Sequence, residues 1–260
     1  MNKKLSFIHI LSAVLILIST VPRADATSHT KPITIRFASE IYPPFTALHS
    51  NEELQGFDID IAKALCEKIN AECTFSNDKF SNMIPSLKAH KYDAWISAIT
   101  ISEEHQKEVS FSKPYFSTKA VLIATNDTVF NAAPVEIKGR TIGIGEHTCY
   151  IQYLKNTYGD TIKVKTFHTK NESLLALEKG EVDAVIGDDL ALKHWRLSQK
   201  DPKKYRLIGL PAKYSQLVWH KYGIAVAKDN DELIEDLNHA IYHIESDGTY
   251  DTLVKKYFYR

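Results

Sequence analysis

The chain has 260 residues, and its 32 lysine and arginine residues balance 32 aspartate and glutamate residues. This balance, without a long basic run, argues against a nucleic-acid partner. The length allows one large domain or two lobes of about 100 residues each, and the composition is that of an ordinary globular protein.

The first 26 residues have the pattern of an export signal. Two lysines give a positive start, an apolar run over 5–21 follows, and Ala24-Asp25-Ala26 is a small-residue site that predicts cleavage after about Ala26. A membrane anchor is the alternative. It is disfavoured because polar residues interrupt the run, which falls short of the roughly 20 residues of a spanning helix.

Segments of helical period alternate with short β-rich runs along the rest of the chain. The first round predicts strands over 33–38, 73–75 and 94–99, with helices over 58–69 and 81–90. The second round predicts strands over 141–145, 163–167 and 184–187, with helices over 150–158 and 172–179. A helix over 231–244 and a last short helix through Leu253 and Tyr257 complete the predicted elements.

The two rounds match each other at a constant offset of 90 residues. Leu87 and 93–98 in the first round correspond to Leu177 and 183–188 in the second. A helix, a tight turn and a buried strand repeat in the same order, which predicts an α/β protein of two lobes, each a mainly parallel sheet covered by helices. Chance similarity of two generic units is the alternative.

The predicted strand ends indicate where a ligand would bind, because ligands of open α/β sheets lie beyond the carboxyl ends of the strands. These ends are 38–40 and 97–100 in the first lobe, and 145–148 and 187–188 in the second. If the two lobes face each other, the four ends meet in one cleft.

Cys66 and Cys73 are seven residues apart, and Cys149 stands alone. On one continuous helix the first two would be about 10 Å apart, too far for a disulfide. A bond requires the helix to end between them, and Asn70-Ala71 is a candidate stop. In an exported protein we favour the disulfide, with two reduced buried cysteines as the alternative and Cys149 free.

Several motifs together carry a resemblance to a known family. They are Gly-Phe-Asp-Ile-Asp-Ile-Ala (56–62), the cysteine pair, Met-Ile-Pro-Ser-Leu (83–87), Tyr-Asp-Ala-Trp-Ile-Ser-Ala-Ile-Thr (92–100) and Phe-Ser-Lys-Pro-Tyr (111–115). The chain resembles the polar amino-acid solute-binding proteins of ABC importers, bacterial solute-binding protein family 3. The arginine-binding and lysine/arginine/ornithine/histidine-binding members are the most similar, over nearly the whole mature chain.

The resemblance implies a two-lobed, type II periplasmic binding protein fold with a two-strand hinge. Lobe 1 would comprise 27–117 and 224–260, and lobe 2 would comprise 118–223. It also implies the Cys66–Cys73 disulfide. We expect a periplasmic monomer, without cofactor or metal, that captures an amino acid by hinge closure and delivers it to an ABC permease in the inner membrane.

The resemblance assigns Glu40 and Tyr42 to the loop that meets a basic ligand side chain, with Phe80 as the opposite wall. A guanidinium between aromatic faces, with a carboxylate at its end, is a favourable arrangement. The alternative is that the rings are core aromatics, since most aromatics are buried in cores. We expect Phe45 in the same loop to be core.

The resemblance also assigns residues to the α-amino and α-carboxylate groups of the ligand. In this family a strand-end segment, here Ser97, Ala98, Ile99 and Thr100, offers a backbone carbonyl to the ammonium and a final hydroxyl to the carboxylate. Asp188 matches the second-lobe aspartate that pairs with the ammonium.

Three departures from the family pattern fall near the carboxylate end. His105 replaces the arginine that clamps the carboxylate, Cys149 replaces a threonine or serine after Thr148, and His147 replaces a glycine. Arginine is always charged, whereas a histidine is charged only when protonated, with an ordinary pKa of about 6.5.

Three interpretations of His105 stay open. The protein binds an amino acid with a weaker, pH-dependent clamp, which we favour because Thr100 and Asp188 are present. Alternatively, the ligand is an amine or guanidine compound without a free carboxylate. In the third interpretation His105 points away, and Lys119 or a backbone N–H binds the carboxylate.

An enzyme is a hypothesis of another class, because exported enzymes such as cyclohexadienyl dehydratase share this fold. Glu146, His147 and Cys149 could form a nucleophile and base, but that chemistry needs a cysteine within hydrogen-bond reach of an oriented histidine. Adjacent positions on a loop do not assure this geometry, and the cysteines lack metal-ligand spacing. We therefore expect a binding protein, with a sensor subunit as a further alternative.

Overall fold

The computed structural model describes residues 33–128, 130–133, 135–146, 148–211 and 219–259. The predicted export signal and His147 lie outside the described residues. Among the residues that are described, no helix is long and apolar enough to cross a membrane.

The strands and helices follow the predicted alternation. The strands are β1 (Ile33–Ser39), β2 (Ala47–Leu48), β3 (Leu54–Gln55), β4 (Ala71–Asn77), β5 (Ala94–Trp95), β6 (Ser110–Phe111), β7 (Phe116–Thr125), β8 (Thr141–Gly145), β9 (Lys163–Phe167), β10 (Ala184–Asp188), β11 (Tyr205–Gly209), β12 (Trp219–Tyr222) and β13 (Ala225–Val226). The α-helices are α1 (Phe57–Ile69), α2 (Met83–Lys88), α3 (Glu103–Glu108), α4 (Tyr150–Tyr158), α5 (Lys170–Glu178), α6 (Asp189–Ser198), α7 (Asp231–Ser246) and α8 (Thr249–Phe258).

Two lobes form around two sheets, and their strand orders are β4-β1-β5-β13-β6 and β11-β7-β10-β8-β9. The parallel parts, β4-β1-β5 and β9-β8-β10, have the same order in both lobes. The two-lobed α/β fold is therefore confirmed. The sheets are mixed rather than mainly parallel, because β13, β6, β7 and β11 join them in antiparallel pairs.

The internal repeat has a counterpart in the hydrogen bonds. Asp93, just before β5, accepts a hydrogen bond at Oδ2 from the backbone N–H of Arg36 on β1, at 2.8 Å. Asp183, just before β10, accepts one at Oδ2 from the backbone N–H of Thr141 on β8, at 2.7 Å. Equivalent aspartates thus join equivalent strand pairs, and the repeat is structural.

Helix α1 shows how the sequence produces the disulfide. Ile61 and Leu65 are buried on one face of the helix. The helix stops at Asn70, whose φ of 57° is left-handed, and the chain turns directly into β4. This turn brings the Cα atoms of Cys66 and Cys73 to 6.2 Å, within disulfide range. The Cys66–Cys73 disulfide is present, as predicted.

Strand β5 is shorter than the strand predicted over 94–99. After Ile96 donates its N–H to the carbonyl of Ala38 at 3.1 Å, the chain leaves the sheet. Ala98 has a positive φ of 47°, which a strand residue does not adopt. Its N–H donates to Oδ2 of the buried Asp58 at 2.7 Å, and this hydrogen bond holds the turn.

The connection between the lobes is the antiparallel pair of β7 and β12. Phe116 lies opposite Tyr222, and Lys119 lies opposite Trp219. Beyond β12, strand β13 returns to the first sheet, where Ala225 pairs with Trp95. Helices α7 and α8 then pack on α1. Two strands thus connect the lobes, while the residue bounds of the lobes stay a prediction.

Candidate functional site

A cavity lies at the strand ends of both lobes, as the strand-end rule predicted. We call it the cleft cavity, and it is lined by Phe80, Ala98, Thr100, His105, Thr148, Cys149, Tyr150, Lys170 and Asp188. Its volume is about 20 Å³, room for about one water molecule. The cavity is therefore too small for a molecule the size of an amino acid, and such a ligand would fit only if the lobes separated.

Asp188, at the end of β10, is the acidic centre of the cavity and is only 2% exposed. Its Oδ2 accepts a hydrogen bond at 2.7 Å from the hydroxyl of Tyr42, which belongs to the other lobe. Its Oδ1 accepts one from the hydroxyl of Tyr150, the first residue of α4. Both phenols are buried, which raises their pKa, so they remain donors at ordinary pH. The contact with Tyr42 joins the two lobes.

Glu40 lies just after β1 and is only 6% exposed. Its Oε1 accepts a hydrogen bond from the backbone N–H of Phe80 at 3.2 Å, and its own N–H donates to Oγ of Ser97 at 3.0 Å. Burial raises the pKa of the Glu40 carboxyl, and the positive charge of Lys170 opposes this rise. The structure thus brings Glu40 together with Phe80, while their roles toward a ligand stay a prediction.

The predicted aromatic residues of the first lobe divide into two kinds. Tyr42 and Phe80 approach the ammonium group of Lys170, with ring centroids 3.8 and 5.8 Å from its Nζ. Phe45 is fully buried and packs against Phe57 and other rings of the core, as expected. Tyr42 and Phe80 thus border the site, whereas Phe45 belongs to the core.

Lys170 was missed by the sequence reasoning. It is the first residue of α5, three residues beyond the end of β9, so the strand-end rule would have pointed to it if β9 had been included. Its ammonium lies in the part of the cleft that the resemblance assigned to a ligand's basic side chain.

Asp58 was also not predicted, and it supports the strand-end turn from behind. It is fully buried on α1, and besides the N–H of Ala98 it accepts the hydroxyl of Tyr115 at 2.9 Å. Burial raises the pKa of the Asp58 carboxyl to about 7, although both hydrogen bonds act in the opposite direction. Asp58 does not line the cleft cavity, so it positions Ala98 rather than touching a ligand.

His105 lines the cleft cavity from α3 and is 7% exposed. Its Nδ1 lies 3.2 Å from the carbonyl oxygen of Thr100, so Nδ1–H donates there, and its ring meets that of Phe80 at 5.9 Å. Lys119 was the alternative partner for the ligand's carboxylate, and its Nζ lies 4.0 Å from Oδ2 of Asp189. His105 therefore faces the cavity rather than the solvent, while its role toward a ligand stays a prediction.

The proposed nucleophile cluster is not assembled in the described part of the chain. Sγ of Cys149 lies 3.6 Å from Nδ1 of His220, and burial raises the pKa of the thiol to about 11, which disfavours the reactive thiolate. Oε2 of Glu146 instead lies 3.2 Å from Nδ1 of His168, and the hydroxyl of Thr148 donates a hydrogen bond to the carbonyl of Gly145. The described residues also hold no group of three or more potential metal ligands from histidine, cysteine, aspartate and glutamate.

Comparison with known proteins agrees with this architecture. The sequence matches the bacterial extracellular solute-binding proteins, family 3, over residues 35–260. It is 38% identical to the ABC transporter arginine-binding protein 1 of Escherichia coli over 220 residues, which covers 85% of this chain and 88% of the relative. It is 31% identical to the histidine-binding periplasmic protein of Salmonella typhimurium, covering 95% of this chain and 96% of the relative.

Solved structures show the same fold. An ancestral arginine-binding protein bound to arginine superposes with a TM-score of 0.77 at 33% identity, covering 86% of this chain and 98% of the other. An ancestral amino acid-binding protein, described as a precursor of cyclohexadienyl dehydratase, gives a TM-score of 0.75 at 25% identity, covering 86% and 95%. The motifs, the two-lobed fold and the match over nearly all described residues lead to one conclusion: the chain belongs to the bacterial extracellular solute-binding proteins, family 3.

Proposed function

We propose that this protein captures an amino acid with a basic side chain, arginine first among them, in the cleft cavity. Asp188 is the observation that carries the proposal. It is a buried carboxylate at a strand end of one lobe, and it is bonded across the cleft to Tyr42 of the other lobe. A ligand ammonium that took the place of the tyrosine hydroxyl at Asp188 would gain a charge-assisted hydrogen bond. The relatives named for arginine and histidine binding support this choice of ligand.

The ligand's other groups have candidate partners in the cleft cavity and next to it. Thr100 and His105 lie together at the end we assign to the α-carboxylate. Glu40, Tyr42 and Phe80 surround the end we assign to the basic side chain. Because these groups belong to the first lobe and Asp188 belongs to the second, a ligand that contacts all of them favours the closed form over the open one.

The closed, loaded protein would dock on an ABC permease in the inner membrane and release the amino acid there. We propose that it works as a monomer in the periplasm, the compartment in the name of the histidine-binding relative, after removal of the segment before about Thr27. We also propose binding without turnover. The raised pKa of the Cys149 thiol supports this, because a protonated thiol is a poor nucleophile.

A thermal-shift and calorimetry screen tests the proposal. Arginine, lysine, ornithine and histidine are compared with glutamate and leucine at pH 5.5 and 7.5. A basic amino acid should raise the melting temperature by on the order of 10 °C when its concentration is about 1,000 times the dissociation constant. The bound ligand should be recovered unchanged under single-turnover conditions. A screen in which no basic amino acid binds, or in which product forms, would overturn the proposal.

A further inference from the structure

Lys170 extends from the second lobe into the part of the cleft that borders the first. Thr169 caps α5 by accepting the N–H of Glu172, which fixes Lys170 as the first helical residue. From there its Nζ reaches a point 3.8 Å from the ring centroid of Tyr42 and 5.8 Å from that of Phe80. A lysine ammonium over an aromatic face at such distances is a cation–π contact.

The neighbouring strand leaves room for this side chain. Gly145 ends β8, and a Cβ atom placed on it would lie 3.1 Å from Cγ of Lys170 and 3.3 Å from its backbone nitrogen. A side chain at Gly145 would therefore press on the stem of the lysine, and the glycine lets the stem lie along the end of β8.

The positive charge of Lys170 affects the carboxyl groups near the cleft but does not stabilise its own helix. A cation in the first turn of a helix is unfavourable with respect to the helix dipole, so α5 gains nothing from it. Its charge also lowers the pKa of the buried Glu40 and Asp58 carboxyls of the first lobe against the effect of burial. The lysine thus supplies the positive charge that faces Glu40 and Tyr42.

The guanidinium or ammonium group of a ligand would need the position over the ring of Tyr42 that the Lys170 ammonium now holds. Two positive charges a few ångströms apart repel each other, and the repulsion is stronger in a closed cavity than in water. A basic ligand side chain can therefore reach Tyr42 and Glu40 only if the ammonium of Lys170 moves away.

We propose, on the basis of the proposed function, that Lys170 is a specificity-determining residue that competes with the ligand for the cation position of the cleft. Its ammonium holds the place over the ring of Tyr42 and is displaced when a basic side chain binds. The consequence is that the protein binds a cationic side chain less tightly than the same pocket would without the lysine. A neutral side chain of the same shape does not meet this penalty from charge.

The test compares Lys170→Met with the unchanged protein by calorimetric titration of arginine and of citrulline, its neutral isostere, at pH 7.5 and low salt. Methionine keeps most of the length of the side chain and removes its charge. We expect the dissociation constant for arginine to fall about tenfold, a change typical of a removed cation–π contact and like-charge repulsion. The value for citrulline should change less than about twofold.

Lys165→Met is the matched control, because Lys165 also lies over a ring, that of Phe167, but pairs with Glu181 on the surface of the second lobe. It should leave both dissociation constants unchanged. Equal gains for arginine and citrulline in Lys170→Met would mean that the lysine acts by bulk, and a loss of arginine affinity would mean that it assists binding. Either result overturns the competition. If neither protein binds any amino acid, the proposed function itself is wrong. This result differs from a failure of the competition alone, in which arginine still binds to both proteins.

Discussion

In the complex that we propose, His105 is the group that would hold the ligand's carboxylate by charge. Its Nδ1–H is engaged by the carbonyl of Thr100, so Nε2 is the ring nitrogen left to meet a ligand. A neutral imidazole with its proton on Nδ1 presents a lone pair at Nε2, which repels a carboxylate, whereas a protonated ring presents an N–H donor. The proposed clamp therefore requires a protonated ring.

We accordingly predict that affinity for arginine falls as the pH rises from about 5.5 to 7.5, because an imidazole can hold a carboxylate by charge only in its protonated form. His105→Arg, which is charged throughout, should give a flat profile and bind about tenfold tighter at pH 7.5. Calorimetric titration at several pH values measures both effects.

The test must show that the pH dependence of arginine affinity comes from His105 and not from another titrating side chain nearby. His220 lies beside Cys149, but burial lowers its pKa and keeps it neutral over more of this range. His239→Asn, on the exposed face of α7, is the control and should keep the slope of the unchanged protein. A flat profile for the unchanged protein would show that His105 does not clamp the carboxylate by charge.

At the scale of elements, the strand-end turn after β5 depends on a carboxyl group buried beneath it. Asp58 on α1 accepts the N–H of Ala98, whose positive φ turns the chain away from the sheet. Because burial raises the Asp58 pKa from 3.8 to about 7, the folded protein keeps a proton that the unfolded chain releases. The stability that this group contributes is therefore complete below about pH 4 and declines as the pH rises toward 7.

Asp58→Asn removes this dependence while keeping an oxygen for Ala98 and an amide for Tyr115. We predict that the free energy of unfolding of the variant, relative to the unchanged protein, increases between pH 4 and 7 by up to about 4 kcal/mol. Urea unfolding at several pH values measures this difference. Asp127→Asn, at an exposed turn, is the control and should show no such trend. A constant difference for Asp58→Asn would contradict the raised pKa.

The sequence was sufficient for most elements and for part of the site. The spacing of apolar residues predicted β8, β9 and α4 with the bounds that the structure shows. It overestimated β5, because Ile96 to Ile99 are buried like strand residues while their conformation is set by Asp58, 40 residues before Ala98 in the chain. Lys170 shows the same limit, since its contact with Tyr42 exists only once the two lobes face each other.

At the scale of the whole molecule, described contacts between the lobes near the cleft cavity coincide with the groups a ligand would use. Tyr42 of the first lobe bonds to Asp188 of the second, and Lys170 of the second lies over Tyr42. Asn171 adds a hydrogen bond to the carbonyl of Ile41 at 3.4 Å. The protein's own side chains thus stabilise closure before a ligand does, and a ligand must replace these contacts with better ones.

Tyr42→Phe separates this self-closure from ligand binding. The variant keeps the ring beneath Lys170 but loses the hydroxyl bonded to Asp188, a hydrogen bond to a charged group worth about 1.5 to 3 kcal/mol. The ratio of open to closed molecules without ligand should therefore rise about tenfold or more. Small-angle X-ray scattering should show a larger radius of gyration for the ligand-free variant and a larger decrease when arginine is added.

Tyr150→Phe is the matched control, because it removes the other hydroxyl on Asp188 within a single lobe and should leave the ligand-free radius unchanged. If the two variants expand equally, closure does not depend on the contact between Tyr42 and Asp188, and the hinge alone sets the balance between the open and closed forms.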